Sequence, residues 1–310
     1  MHKYRLSALF LITAMLIVAP LNALGAEVFF KDYVGQTIAE VIKAEGPPDE
    51  QQQKALIYQQ KIIDGREFTV THKLDGTIVD SAHYYDKDYE NVPVIEPSAD
   101  WSWLSDIGKT YAEITARWGL PQWYFYAGRN LSKGRLAEEY NMTYHNVNLN
   151  GHLYSINYMF YNNIVIRITG QTNLPVSDDE NAPYFDAVMA ELKGVMDEPV
   201  WIHRINPRLK KHIYYLADDK YLATIDNLYG NQAFPLLCIM IQSHDTDFAA
   251  AAYIGMPSTV GMMMNGWERN DVAKGGDYAK LVKVEQKIMT QMEEVEKNMP
   301  AAAKEVFFIE

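Results

Sequence analysis

The chain has 310 residues, 48% of them hydrophobic and 22% charged, a globular balance with enough apolar side chains for a sizeable core. Its 28 Lys and Arg against 40 Asp and Glu leave a formal charge of −12, a surface that repels phosphate backbones and anionic headgroups and so argues against nucleic-acid binding. With Cys238 as the single cysteine, no intramolecular disulfide is possible.

Residues 1–26 open with Lys3 and Arg5, continue through an apolar run over 6–18, and end in the small residues Ala23, Gly25 and Ala26. That is the layout of a secretory signal peptide cleaved near Gly25 or Ala26. The run is short for a membrane span and has no positive stop beyond it, so a retained anchor is the second reading. No cysteine stands at the cleavage region to take a lipid, and the expected location is periplasmic or secreted, with no stable span after cleavage. Removing the segment takes away Lys3 and Arg5 and no acid, so −12 becomes −14.

Residues 27–98 form the first expected unit. Gly35 precedes Thr37, whose hydroxyl can accept from the first turn of a helix, and Glu40 stands at the capping-box spacing. Gly46 and Pro48 then stop that helix. Beyond it, Phe68, Val70, His72 and Leu74 alternate with Thr69, Thr71 and Lys73, and Asp64-Gly65 and Asp75-Gly76 mark tight turns. The expectation is one helix followed by a three-stranded meander over 55–60, 68–74 and 77–85, with His72 on the inward face.

Residues 99–172 repeat the pattern. Gly108, Thr110, Ala112, Glu113, Gly119 and Pro121 each follow their counterparts Gly35, Thr37, Ala39, Glu40, Gly46 and Pro48 by 73 positions, and such self-similarity decides architecture before other signals do. In the strands the offset is 86, with Asn150-Gly151 in place of Asp64-Gly65 and Tyr154, Ile156, Tyr158 and Phe160 in place of Phe68, Val70, His72 and Leu74. The difference places 13 extra residues between helix and strands, around 127–137. A long loop on a rigid scaffold is a candidate functional feature. Trp101, Trp103, Trp123, Tyr124 and Tyr126 flank this unit's helix and are the candidate binding residues, because aromatic side chains anchor protein interfaces and stack on sugars. Trp201 recurs at the place of Trp123, which favours packing there.

A third, degenerate unit is expected over 182–246. Ala190, Glu191 and Leu192 lead to Pro199 and Trp201 with the spacing by which Ala112, Glu113 and Ile114 lead to Pro121 and Trp123, although Asp197 stands where the glycine stood. Its strands are expected over 212–217, 221–227 and 234–243, with Cys238 a buried thiol. The stretch 175–183, with Asp178, Asp179 and Glu180, reads as an acidic linker. It lacks the spaced ligands and glycine of a calcium loop.

The last part, 247–310, departs from the pattern. After Gly275-Gly276, Leu281, Val284, Ile288, Met292, Val295 and Met299 recur at three or four residues, an amphipathic helix that docks on its own sheet or on a second chain.

Signals for chemistry are sparse. Ser258 lacks the Gly-x-Ser-x-Gly elbow, no histidine pair has zinc-helix spacing, and no glycine-rich phosphate loop follows a strand. No cofactor, metal or catalytic residue is expected.

The pattern Gly-x-Thr-x-x-Glu followed by Gly-x-Pro and a hairpin meander resembles the outer-membrane assembly family SmpA/OmlA, also called BamE-like, and the β-lactamase-inhibitor-protein fold. The resemblance covers residues 30–171 and, more weakly, the third unit. It implies an α+β fold of tandem helix-plus-antiparallel-meander units and a non-enzymatic envelope or secreted protein that binds another protein through sheet surfaces and loops. The absence of a lipidated cysteine and the C-terminal part, including the amphipathic helix, depart from the family pattern. The alternative is a binder of a small ligand or glycan in an aromatic sheet groove, and a carboxylate hydrolase comes third.

Overall fold

The computed structural model describes residues 30, 33–89, 91–128, 138–161, 163–173, 178–206, 211–218, 220–230, 234–243 and 272–274, together with Lys287, Thr290 and Lys297. The expected signal segment, most of the loop at 127–137 and nearly all of the C-terminal part lie outside the described residues. Lys287, Thr290 and Lys297 are helical and exposed.

The fold is α+β and dominated by strands. Among the described residues are three helices, α1 (Ile38–Glu45), α2 (Tyr111–Trp118) and α3 (Asp178–Val195). The strands are β1 (Glu50–Gln52), β2 (Ala55–Ile63), β3 (Arg66–Asp75), β4 (Ile78–Asp86), β5 (Trp123–Ala127), β6 (Glu139–Leu149), β7 (His152–Tyr161), β8 (Ile164–Asn173), β9 (Val200–Asn206), β10 (Lys211–Ala217), β11 (Tyr221–Gly230), β12 (Phe234–Ser243) and β13 (Val272–Lys274). They form one sheet in the order β1-β2-β3-β4-β5-β6-β7-β8-β12-β11-β10-β9-β13, with neighbouring strands antiparallel. The chain thus runs as a continuous meander to β8, crosses by way of α3, and returns so that β12 closes against β8.

The first two helices start and stop as their sequences dictate. Thr37 and Thr110 accept from the amides of Glu40 and Glu113, whose carboxylates accept from the cap amides at 2.8 Å in both cases. At the other end the Gly46 amide donates to Ile42 at 2.9 Å and the Gly119 amide to Thr115 at 2.8 Å. Both glycines have φ values of 85° and 75°, a region that penalises any side chain.

Other local features recur at the same spacings. The Gly35 amide donates to the Val79 carbonyl at 2.8 Å, and the Gly108 amide to the Val165 carbonyl at 2.9 Å. The β2–β3 ladder shifts register between Tyr58 and Lys61, and β6–β7 between Tyr144 and Val147; β3–β4 shifts between Lys73 and Leu74, and β7–β8 between Met159 and Phe160. Tyr58 donates to the Gly46 carbonyl at 3.1 Å and Tyr144 to the Gly119 carbonyl at 3.0 Å, tying each helix end to its sheet.

Two expectations are corrected. A further strand follows each helix, β1, β5 and β9, where a three-stranded meander was expected. In β1 the sequence Glu50-Gln51-Gln52 is exposed throughout and shows no alternation, while β5 is aromatic on both faces. The stretch read as an acidic linker is also different, since residues 178–183 are the opening turns of α3. Acidic residues suit a helix N-terminus, and Val188, Met189 and Leu192, with Met196 just beyond the helix, all buried, supply the apolar stripe that holds the helix down.

The core lies between the three helices and the sheet and takes in Leu192 of α3 and Ile239 of β12. Val41 of α1 and Ile114 of α2 are fully buried there with Leu56, Phe68, Tyr144, Tyr158 and Phe160. Phe30 stacks on Tyr124 with centroids 4.3 Å apart and also meets Phe68 and Tyr84, so the core continues without a break from β3 to β5.

Candidate functional site

Parity along β4 and β5 divides their aromatic residues between two faces. Tyr84, Tyr124 and Tyr126 point inward and are buried, as is Trp103 at 1% exposure, while Trp101 is partly buried against the core. Of the five aromatic residues singled out from the sequence, Trp101, Trp103, Tyr124 and Tyr126 therefore form or border the core. Trp123 lies on the opposite, outer face.

There it is joined by residues that sequence reasoning missed. The ladder β4–β5 sets Tyr85 opposite Trp123 and His83 opposite Phe125. The ladders on either side extend these into two rungs across the sheet, Thr69-Tyr85-Trp123-Thr143-Asn157 and Thr71-His83-Phe125-Asn141-Met159. Ring centroids are 4.8 Å apart for His83 and Phe125, 6.2 Å for Tyr85 and Trp123, and 6.3 Å for the stacked pair Trp123 and Phe125. Tyr85 is 48% exposed, and nearby Tyr89, 49% exposed, has its ring 6.0 Å from that of His145. The missed signal was the alternation itself. Once Tyr84 and Tyr124 are known to face inward, His83, Tyr85, Trp123 and Phe125 must face outward.

This patch carries polar atoms with no protein partner. Trp123 Nε1 and His83 Nδ1 are both shielded from solvent and make no hydrogen bond, an arrangement that costs free energy. Burial and the nearby Lys73 charge push His83 down to about 4, so its ring is neutral near pH 7. His145, also pushed down by burial, is held by Ser155 at 2.8 Å.

The inner face holds two further polar clusters. Asp106, fully buried, accepts from Tyr158 at 2.8 Å, Trp101 at 3.0 Å, Trp118 at 3.4 Å and Lys109 at 2.8 Å. Arg117 Nη1 stands 3.0 Å from its Oδ1 as an ion pair without hydrogen-bond alignment. So fully engaged a carboxylate is structural. The second cluster surrounds His72, 1% exposed, at a cavity of about 100 Å³ lined also by Glu45, Tyr58, Lys61, Val70 and Tyr84. Tyr33 donates to Glu45, which also holds Lys61 Nζ at 2.8 Å.

Among the described residues no three His, Cys, Asp or Glu side chains group as metal ligands. No described helix is long and apolar enough to cross a membrane.

No protein-family model matches the chain, and no curated protein matches it. Among solved structures it is similar to a Streptococcus mutans protein described as a "putative beta-lactamase inhibitor protein", with a TM-score of 0.28 and 14% identity over 43% of this chain and 81% of that one. Likeness at this level bears on neither fold nor function, and the resemblance to the SmpA/OmlA family rests on the motif residues alone.

Proposed function

We propose that this chain is an exported, non-enzymatic protein-binding module of tandem helix-plus-meander units, and that it holds its partner on the outer face of the sheet around Trp123. The tandem reading is supported by caps, helix-end anchors and register shifts that recur at offsets of 73 and 86 residues. The sequence of residues 1–26, laid out like a signal peptide, supports the export part of the reading.

The observation that carries the binding reading is the patch of four rings gathered on the outer face, His83, Tyr85, Trp123 and Phe125, with Tyr85 48% exposed. Large rigid rings give contact area at little entropic cost. Along the rungs the rings are flanked by Thr69, Thr71, Asn141 and Thr143, short polar side chains suited to an interface rim.

The test is recovery of a partner from the native envelope by the full exported chain and by Trp123→Ala and Phe125→Ala variants of unchanged thermal stability. One protein held by the wild type and lost with both variants supports the reading. Retention of that protein by both variants rejects it, and wild-type binding to glycan alone favours the sugar-binding alternative.

A further inference from the structure

The outer face around Trp123 is set apart by what its side chains lack. The two rungs through Trp123 and Phe125 run from β3 to β7, and none of their residues is an acid, a lysine or an arginine. On β8, Thr169 stands opposite Asn157 and continues the first rung, and beside it Gln171 stands opposite Ser155. All of these positions except Met159 are partly or fully exposed. In a chain with 22% charged residues, a type that concentrates on surfaces, so wide an uncharged area is unusual.

Charge begins at the borders of this area. At one end of the strands Lys87 pairs with Glu67. At the other, Lys73 and Glu139 stand at the two ends of the rung that runs through Ser81 and Ala127. Toward β8, Arg167 lies opposite Met159 with Nη2 2.7 Å from the Met159 sulfur. The two histidines inside the border add no charge near pH 7, because burial pushes His145 down, and burial with the Lys73 charge pushes His83 down to about 4.

A charged group brought against this area would leave water and meet no opposite charge, which is costly. Depletion of charge is also what marks the centre of an interface off from the surrounding surface. What the area offers is ring carbon, hydroxyls and amides, all of which make neutral contacts. Trp123 Nε1 and His83 Nδ1 are shielded, so the rings have less to give a hydroxyl-rich sugar than the apolar side chains of a protein. We infer that the partner meets this face with a protein surface whose centre is itself uncharged, its apolar and amide- or hydroxyl-bearing side chains packing on Trp123 and Phe125 inside the charged border. The inference rests on the protein-binding reading above and adds the partner's chemistry. Although the chain carries a formal charge of −12, this contact is selected by shape and neutral hydrogen bonds.

The experiment uses the full exported chain in its native envelope, with a photoreactive phenylalanine analogue at position 85, and reads the yield of crosslinked partner protein. Between about 0.05 and about 0.5 M NaCl the screening length falls roughly threefold, and the yield should fall by less than about twofold. Thr143, opposite Trp123 on the same rung, is then changed. Thr143→Lys and Thr143→Glu should each lower the yield by at least about tenfold, since either sign is stranded against an uncharged surface, and Thr143→Ser should keep it. A loss with one sign and a gain with the other, or a yield that collapses with salt in the chain that keeps Thr143, overturns the inference while leaving a protein partner on this face. No crosslinked partner protein, or glycan alone, overturns the protein-binding reading and the inference with it. The salt series keeps Thr143 in place, so it decides the matter even where the charged variants fail to fold.

Discussion

Tyr33 donates its hydroxyl to Glu45 at the end of α1, and 73 residues further on the same two places are held by Asp106 and Trp118 with donor and acceptor exchanged, Trp118 Nε1 giving to Asp106 at 3.4 Å. The exchange moves the carboxylate from the end of the helix to the segment before it. In the second position it gathers three further donors and an arginine. In the first it holds Lys61, and the space beside His72 stays open.

That difference ranks two mutations. Asp106→Ala leaves Lys109 and Arg117 without their shared carboxylate and strips Tyr158 of its acceptor, a loss of about 3–5 kcal/mol by analogy with broken buried pairs. Tyr33→Phe removes one partly buried hydrogen bond and should cost about 1 kcal/mol. Urea denaturation of the two variants checks the order, and equal losses would count against it.

Gly170 is fixed by a close approach. With Trp103 buried at 1% exposure, the ring cannot yield to a Cβ at 2.3 Å, so Gly170→Ala should cost about 1–3 kcal/mol as an overpacked core position. The same substitution at Gly194, where an added Cβ meets nothing within 4 Å, should be neutral or stabilising, since that residue lies within α3. Thermal melts of both variants test the contrast.

The helix caps should behave alike. Thr37→Ala and Thr110→Ala each remove a side-chain acceptor and should each cost about 1 kcal/mol. The Thr37 and Thr110 backbone amides hold Glu40 and Glu113 below the usual carboxylate range, so these two caps weaken together as acid protonates the glutamates. Denaturation midpoints measured from neutral pH downward check this.

Acid should also act through His72. Its folded value of about 4 lies below the ordinary 6.5 because burial penalises the charged ring. Between those values the unfolded chain binds more protons, so stability present above pH 6.5 is lost as pH falls toward 4. The loss is on the order of 3 kcal/mol for a shift of this size. His72→Phe should flatten that part of the stability profile, and an unchanged slope would contradict the assignment.

The sequence made the parts of the fold that rest on local rules readable. Gly-Thr-Glu caps, Asp-Gly and Asn-Gly turns and period-two strands appear where expected because each is decided within a few residues. What it hid depended on partners distant in sequence. The opening strands β1 and β5 lack alternation, and the pairing of β12 with β8 follows from a crossover that no local signal announces. Trp123 was legible as an ambiguous aromatic, but His83, Tyr85 and Phe125 were not, because a strand with rings on both faces gives no parity until a neighbour fixes which side is the core. The His72 cavity was hidden for another reason: His72 was legible as an inward residue, while the walls of the space beside it, among them Glu45, Lys61 and Tyr84, come from other elements of the chain.

The claim that a protein partner sits on the outer face is tested most directly by site-specific photocrosslinking in the native envelope, with a photoreactive residue at Tyr85 and, in a parallel chain, at Lys43 on the exposed side of α1. The account predicts one dominant protein crosslinked from position 85, its loss when Trp123→Ala is added, and no such product from position 43. Equal crosslinking from both positions, or products from position 85 that contain only this chain, would contradict it.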